Sequence, residues 1–444
     1  MAADTIARDL LAQEAQGLLA RLDRITPFAL HETMVPAAAL APPAVTGIEQ
    51  FLADGRAELR AEVRGYLRWL AGPGRAASPA ELQRRFVLIR LRFNDILSQY
   101  DMFLEVVTQR SEHETGVWLS GLDVVAADAL DLGQPYYAPP PAVCYLARGP
   151  GAAIRRARTR LPGGGRSPVA IIRVPRERLV GHGIASSLVH EVGHQGAALL
   201  DLVPSLRPVL QRMQRRASPT QSPAWRAWQR WISEIVADYW SVGKLGISST
   251  LGLLAVVSLP RIFVFRLAAS DPHPIPWIRV LLSAAMGDAL YPHPQWQVLT
   301  RTWQQLYPLD TVEQQWADQL GLLAGSIPDF LDVLLGHRPA ALRGRSLAEV
   351  MPTGERQPEQ LLAVFERSGG RPEPMMRDSA TLALAAIGQA RAAGRIQPER
   401  EARLVGDLLT RWALASTLDI AAICAGGQPR PLSPRSPLQI PTHA

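Results

Sequence analysis

The sequence predicts a mostly helical α+β protein, with a small sheet and two key helices mid-chain and helical regions on either side. Three observations carry this. Apolar residues recur at helical spacing over roughly the first 130 positions and again after about position 300. Between these regions, two short apolar runs, Ala142–Ala147 and Val169–Val174, read as strands. Soon after the second run comes a helical segment containing His190-Glu191-Val192-Gly193-His194.

Residues 1–134 form the N-terminal helical region. Ile48–Leu70 is amphipathic, and Gly72-Pro73-Gly74 ends it. Ser78-Pro79 then supplies an N-cap and a first-turn proline for the next helix. A proline-rich crossing, Pro135–Pro141, opens a central core spanning 135–300. Within it, Pro162-Gly163-Gly164-Gly165 marks a turn between the two strands. Helical patterns resume over 301–425, broken around Arg338–Arg345 and Gly369–Pro374. Residues 426–444 are proline-rich and read as a disordered tail.

Composition excludes several classes of function. Apolar residues at 47% and charged residues at 20% are ordinary for a chain with a packed core. The net charge is +7, yet Lys244 is the only lysine, and the arginine-rich, alanine-rich usage matches GC-rich coding. The basic segment Arg155–Arg160, with Arg212, Arg215 and Arg216, lacks interleaved aromatics, so no nucleic-acid partner is expected. Cys144 and Cys424 are too few for a disulfide framework. The acidic, amphipathic N-terminus does not resemble a secretory signal, and a cytoplasmic location is expected. Leu245–Pro260 is uncharged but too short and polar to span a bilayer, which predicts a buried core helix and no transmembrane segment.

The central motif carries the chemistry. Residues four apart share a helix face, so His190 and His194 can grip one metal ion from adjacent turns. Glu191 stands beside them, positioned to act on water at the metal rather than to bind it. With nine histidines in 444 residues, a chance H-E-x-x-H arises in roughly one of a hundred such chains. His31-Glu32 and His113-Glu114 are internal controls: valines, Val35 and Val117, stand where each second histidine would be. Ile184, Leu188, Val192 and Leu199 supply a buried stripe, and Ala197 and Ala198 leave room near the metal. Asp201 falls on the same face.

A third ligand is required. Ser222–Gly243 reads as a helix, with Ser222 as N-cap and Gly243 at its end. Glu234 and Asp238 lie four apart in it, among Trp231, Ile232, Ile235, Val236, Tyr239 and Trp240. Carboxylates embedded in so apolar a segment need partners. Glu234 suits the metal, and Asp238 suits the N–H of a liganding histidine. Two imidazoles and a carboxylate fit zinc, one ion per chain, with a position left for water.

HEVGH followed by Glu234-Ile235-Val236-Ala237-Asp238 resembles the gluzincin metallopeptidases. The E-x-x-A-D form is most similar to the CAAX-prenyl-protease-like and heat-shock zinc endopeptidases. Those also carry an H-P segment and an arginine further on, as in Asp271-Pro272-His273-Pro274-Ile275-Pro276-Trp277-Ile278-Arg279 here. The resemblance covers about residues 169–280. It implies a zincin-like core, with His190, His194 and Glu234 as zinc ligands and Glu191 as general base of a zinc endopeptidase. His273 would stabilise an oxyanion, or be an ordinary loop histidine; Arg279 would pair with Asp238, or be merely structural. Tyr239 and Tyr291 are alternative oxyanion donors or core residues. Cys144 is a core thiol or a zinc-inhibiting thiolate. In the implied fold the Val169–Val174 strand edges the cleft, so Ile171 and Ile172 would bind an extended polypeptide substrate. Two rival readings are a non-catalytic zinc-containing binding or scaffold protein and a zinc hydrolase of a non-peptide substrate.

Overall fold

The computed structural model describes residues 2–26, 28–29, 32–149, 151–175, 182–266 and 271–424. They are mostly helical, with one three-stranded sheet. The expected disordered tail at 426–444 and the control residue His31 lie outside the described residues. The chain divides into two compact units: Met1–Leu119 with Pro140–Tyr145 and Arg155–Ile171, and Ser120–Pro139 with Leu146–Ile154 and Ile172–Ala444.

In the first unit α1 (Ala2–Arg24), α2 (Pro42–Ala71) and α3 (Pro79–Thr108) pack on one another. Their boundaries follow local chemistry. Pro42 sits in the first turn of α2, and the Gly72 amide donates to the carbonyls of Arg68 and Trp69 at its end. The Ser78 hydroxyl caps α3 by accepting from the Glu81 amide at 3.3 Å. Burial of Leu22, Ile48, Val63, Phe86 and Phe103 in one cluster holds the three helices together. After α4 (His113–Leu130) begins, the chain passes to the second unit at Ser120.

The strands are β1 (Ala142–Ala147), β2 (Ala153–Arg155) and β3 (Ala170–Pro175), in the order β1-β3-β2. The first and third match the sequence expectation within a residue. Three residues of β2 are too few to show a period. Gly163, Gly164 and Gly165 all take positive φ in the turn, the conformation for which glycine carries no Cβ penalty.

The sheet order overturns the edge-strand expectation. β3 is the middle strand, paired on both sides, and Ile171 and Ile172 are buried at 4% and 0% exposure. Neither residue offers a backbone edge or a side chain to substrate. The physical reason is that an unbroken apolar run signals burial of both faces and is silent about whether the edges are paired.

The second unit is built around α5 (His182–Leu199), which packs on α7 (Ser222–Leu245) and α8 (Ile247–Val257), with α6 (Leu202–Arg216) also against α7. α7 departs from expectation at both ends. Ser222 is its first helical residue rather than its cap, and it runs through Gly243 to stop at Gly246, where φ is +56°. Gly243 is instead a packing position: an added Cβ there would meet Met351 Sδ at 2.1 Å. Most of α8 is buried, as predicted for Leu245–Pro260.

Beyond α8 come α9 (Arg261–Val264), α10 (Pro276–Leu290), α11 (Pro294–Leu306), α12 (Gln314–Gly325), α13 (Ile327–Gly336), α14 (Leu347–Val350), α15 (Pro358–Ser368), α16 (Pro372–Met375), α17 (Ala380–Ala392) and α18 (Pro398–Cys424). The break expected near Arg338–Arg345 falls between α13 and α14, while that at Gly369–Pro374 starts after α15 and runs into the short α16. The helices from 301 onward belong to the second unit, and α17 packs on α5, α7 and α8. Gln314–Gly336 is long and apolar enough to cross a membrane by length and composition, but it is two helices meeting at Ser326.

Candidate metal centre

Two glycines of α5 bring its histidines to α7. A Cβ at Gly193 would lie 2.9 Å from Trp240 Cβ and 3.0 Å from Ala237 Cα; one at Gly196 would lie 2.4 Å from the Trp240 ring. Trp240 is fully buried and its indole N–H donates to the Ala129 carbonyl at 2.9 Å, so it cannot yield easily. Small residues at 193, 196 and 237 therefore set a close helix approach. Ala197 and Ala198 do not make this room: Ala197 is buried and Ala198 is exposed on another face.

Across that approach, His190, His194 and Glu234 bring one donor atom each within 4.8 Å of one another. The Glu234 Oε2 lies 3.3 Å from His190 Nε2 and 3.4 Å from His194 Nε2. Ligands about 2.0–2.1 Å from a tetrahedral ion are separated by roughly 3.4 Å, so the spacing fits. This group could hold a metal ion.

The hydrogen bonding points the same way. His190 Nδ1 is 2.8 Å from Asp238 Oδ1. An ionised carboxylate only accepts, so this nitrogen carries the proton and a neutral His190 turns its Nε2 lone pair towards Glu234. At 3.3 Å the two atoms need positive charge between them, either a proton on Nε2 or a metal cation in its place. Burial alone would lower the His190 pKa, but the Asp238 and Glu234 carboxylates outweigh it and raise it to about 9. Burial likewise opposes charge on Glu234, and the three histidines around it hold its carboxyl far below the usual range. A pocket that so favours positive charge suits a metal cation.

Asp238 is itself braced. Arg279 in the first turn of α10 donates from Nε to Asp238 Oδ2 at 2.7 Å and from Nη2 to Oδ1 at 2.8 Å. The expected pairing of Arg279 with Asp238 is thus present, and it fixes the carboxylate that orients His190. Against the cost of burial, Arg279 and His190 hold the Asp238 carboxyl well below its ordinary range.

His273 joins the same cluster from the loop before α10. Its Nε2 is 3.1 Å from Glu234 Oε2. Its Nδ1 is 2.8 Å from Asp271 Oδ1, which also accepts from the His273 amide at 3.0 Å. Asp271 was not singled out from the sequence. The signal was its place two residues before the histidine, where an aspartate accepts from the backbone N–H two residues on.

A cavity of ≈ 380 Å³ opens on this site. Glu191 lines it, as do His190, Asp238, His273 and Arg279. Glu191 is outside the three-donor group, in keeping with its different position around α5. Gly151 and Ala152, which lead into the outer strand β2, form part of the wall. Other candidates fall elsewhere. The Tyr291 hydroxyl donates to the Gly243 carbonyl at 2.6 Å, and Tyr239 is a buried core residue. Asp201 is exposed, at φ +54° in the turn between α5 and α6. Cys144 is a fully buried core thiol of β1. His113 is exposed at the start of α4.

No protein-family model, curated protein or solved structure matches this chain significantly.

Proposed function

We propose that the second unit is a zinc-dependent hydrolase that cleaves peptide bonds. The observation that carries the reading is the convergence of His190, His194 and Glu234 at ligand spacing, with His190 lining a cavity that Glu191 also lines. When bound, zinc would supply Lewis-acid polarisation of a carbonyl and acidification of water.

The chain's own residues account for the rest. Glu191 takes the proton of the attacking water and returns it to the leaving amine. Asp238 keeps the His190 proton on Nδ1, leaving Nε2 as a donor to the metal, and Arg279 keeps Asp238 ionised and fixed. His273, held by Asp271, presents Nε2 at the edge of the site, where a donor stabilises charge developing on a carbonyl oxygen. Polypeptide is favoured as substrate because Gly151 and Ala152 join the cavity wall to β2, an outer strand on which extended chain can pair.

The test is cleavage profiling on a proteome-derived peptide library, with new N-termini read by mass spectrometry. The wild-type protein should generate them and Glu191→Gln should not. No new termini with the zinc-loaded protein, or the same termini with Glu191→Gln, would overturn the reading.

A further inference from the structure

One wall of the cavity continues out of it as apolar surface. Leu253, Val256 and Val257 lie at i, i+3 and i+4, so they share a face of α8, and all three line the cavity with Leu259. Leu253 and Val257 are buried, whereas Leu259 is 45% exposed. Three and four residues further along the chain come Ile262 and Phe263, 74% and 47% exposed. The apolar strip begins beside the metal ligands and ends in the open.

This surface is rigidly displayed. In the run Ile262-Phe263-Val264-Phe265 the last two side chains are buried, and Phe265 packs edge-on to Tyr307. The Tyr307 hydroxyl donates to the Leu259 carbonyl at 2.9 Å, Arg261 donates to the Pro308 carbonyl at 3.2 Å, and the Trp316 indole donates to the Phe265 carbonyl at 2.9 Å. Core packing thus fixes the backbone of the elbow while Ile262 and Phe263 face outward.

Its charge decides what it fits. No ionisable side chain occurs between Lys244 and Arg261. Arg261 is turned back over the Phe265 ring, 5.5 Å from its centroid, and Arg266 interacts with the Asp271 carboxylate. Anionic lipid surfaces attract exposed clusters of basic residues, and this elbow offers none.

We propose that Leu259, Ile262 and Phe263 extend the substrate site, and that the substrate is a polypeptide bearing a run of apolar residues beside the bond to be cut. The proposal rests on the hydrolase reading for the cutting, but not for the binding. It is tested by fluorescence anisotropy on zinc-loaded Glu191→Gln protein, which cannot consume the probe. Two labelled decapeptides are compared, one with a Leu-Phe-Leu-Phe run and one with Ser-Gly-Ser-Gly in its place. The apolar peptide should bind at least ~10-fold more tightly, and adding Ile262→Ser and Phe263→Ser should remove that preference while leaving zinc content and melting temperature unchanged. Equal binding of the two peptides, or a preference that survives the double substitution, overturns the proposal. So does sedimentation with phosphatidylcholine–phosphatidylglycerol vesicles that the double substitution abolishes while peptide binding is untouched. Peptide binding with these properties in a protein that cleaves nothing would support the apolar track and reject the hydrolase reading.

Discussion

Asp238 holds His190 by a 2.8 Å contact to its Nδ1, one helical turn along α7 from Glu234, whose carboxylate faces the other nitrogen of the same ring. One helix therefore addresses both faces of the imidazole's hydrogen-bonding capacity. Asp238→Asn should keep the fold but weaken zinc affinity by roughly 10–100-fold, because the amide no longer enforces the tautomer. Competition with a chelator of known affinity measures this. An unchanged zinc dissociation constant would remove Asp238 from the site.

Glu191 can be separated from the ligands. Glu191→Gln should retain zinc and melting temperature yet lose at least ~10²-fold in turnover, the scale of a general base. Undiminished turnover would move the chemistry to another group.

His273→Ala should also retain zinc, since the other three donors remain, while lowering kcat by roughly 10²-fold through loss of oxyanion stabilisation. Asp271→Asn should share part of that loss. Zinc depletion in His273→Ala would make the histidine a ligand instead.

Gly196→Ala tests the helix approach. The added methyl meets the buried Trp240 ring, and overpacking of this kind costs about 1–3 kcal/mol. Chemical denaturation should show that loss, accompanied by weaker metal binding as α5 is pushed from α7. A variant as stable as wild type, with unchanged zinc affinity, would show that the spacing is not set there.

Lys244 gives a pH dependence outside the metal site. Burial lowers its pKa to about 8 although its Nζ donates to the carbonyls of Asp128 and Asp131. Between pH 8 and the unfolded value near 10.5, the unfolded chain holds a proton that the folded one has released. Stability should therefore rise with pH over that window, by at most about 1.4 kcal/mol per pH unit from this one group. Comparing wild type with Lys244→Met between pH 8 and 10 isolates it: the variant should have the flatter profile. Parallel profiles would contradict the shift.

How much of this was legible in the sequence depended on the range of the interaction. His190 and His194 share a helix face by spacing alone, and the carboxylates of α7 stood out because their neighbours are apolar. The caps at Gly72 and Ser78 are local chemistry and were readable too. Three-dimensional neighbours were not. Gly193 and Gly196 look like ordinary helix-weakening residues until Trp240 is seen against them. Gly243 seemed a helix end because nothing in the sequence reveals Met351 beside it. Ile171 and Ile172 seemed available because an apolar run says nothing about pairing. Asp271 was overlooked although its spacing from His273 was in plain view.

The most direct test of the central claim is elemental analysis of purified wild-type protein beside His190→Ala, His194→Ala and Glu234→Ala. One zinc per chain in the wild type, and its loss in each variant, is the predicted result. A wild-type protein that takes up no stoichiometric zinc, or three variants that all keep it in full, would contradict the account.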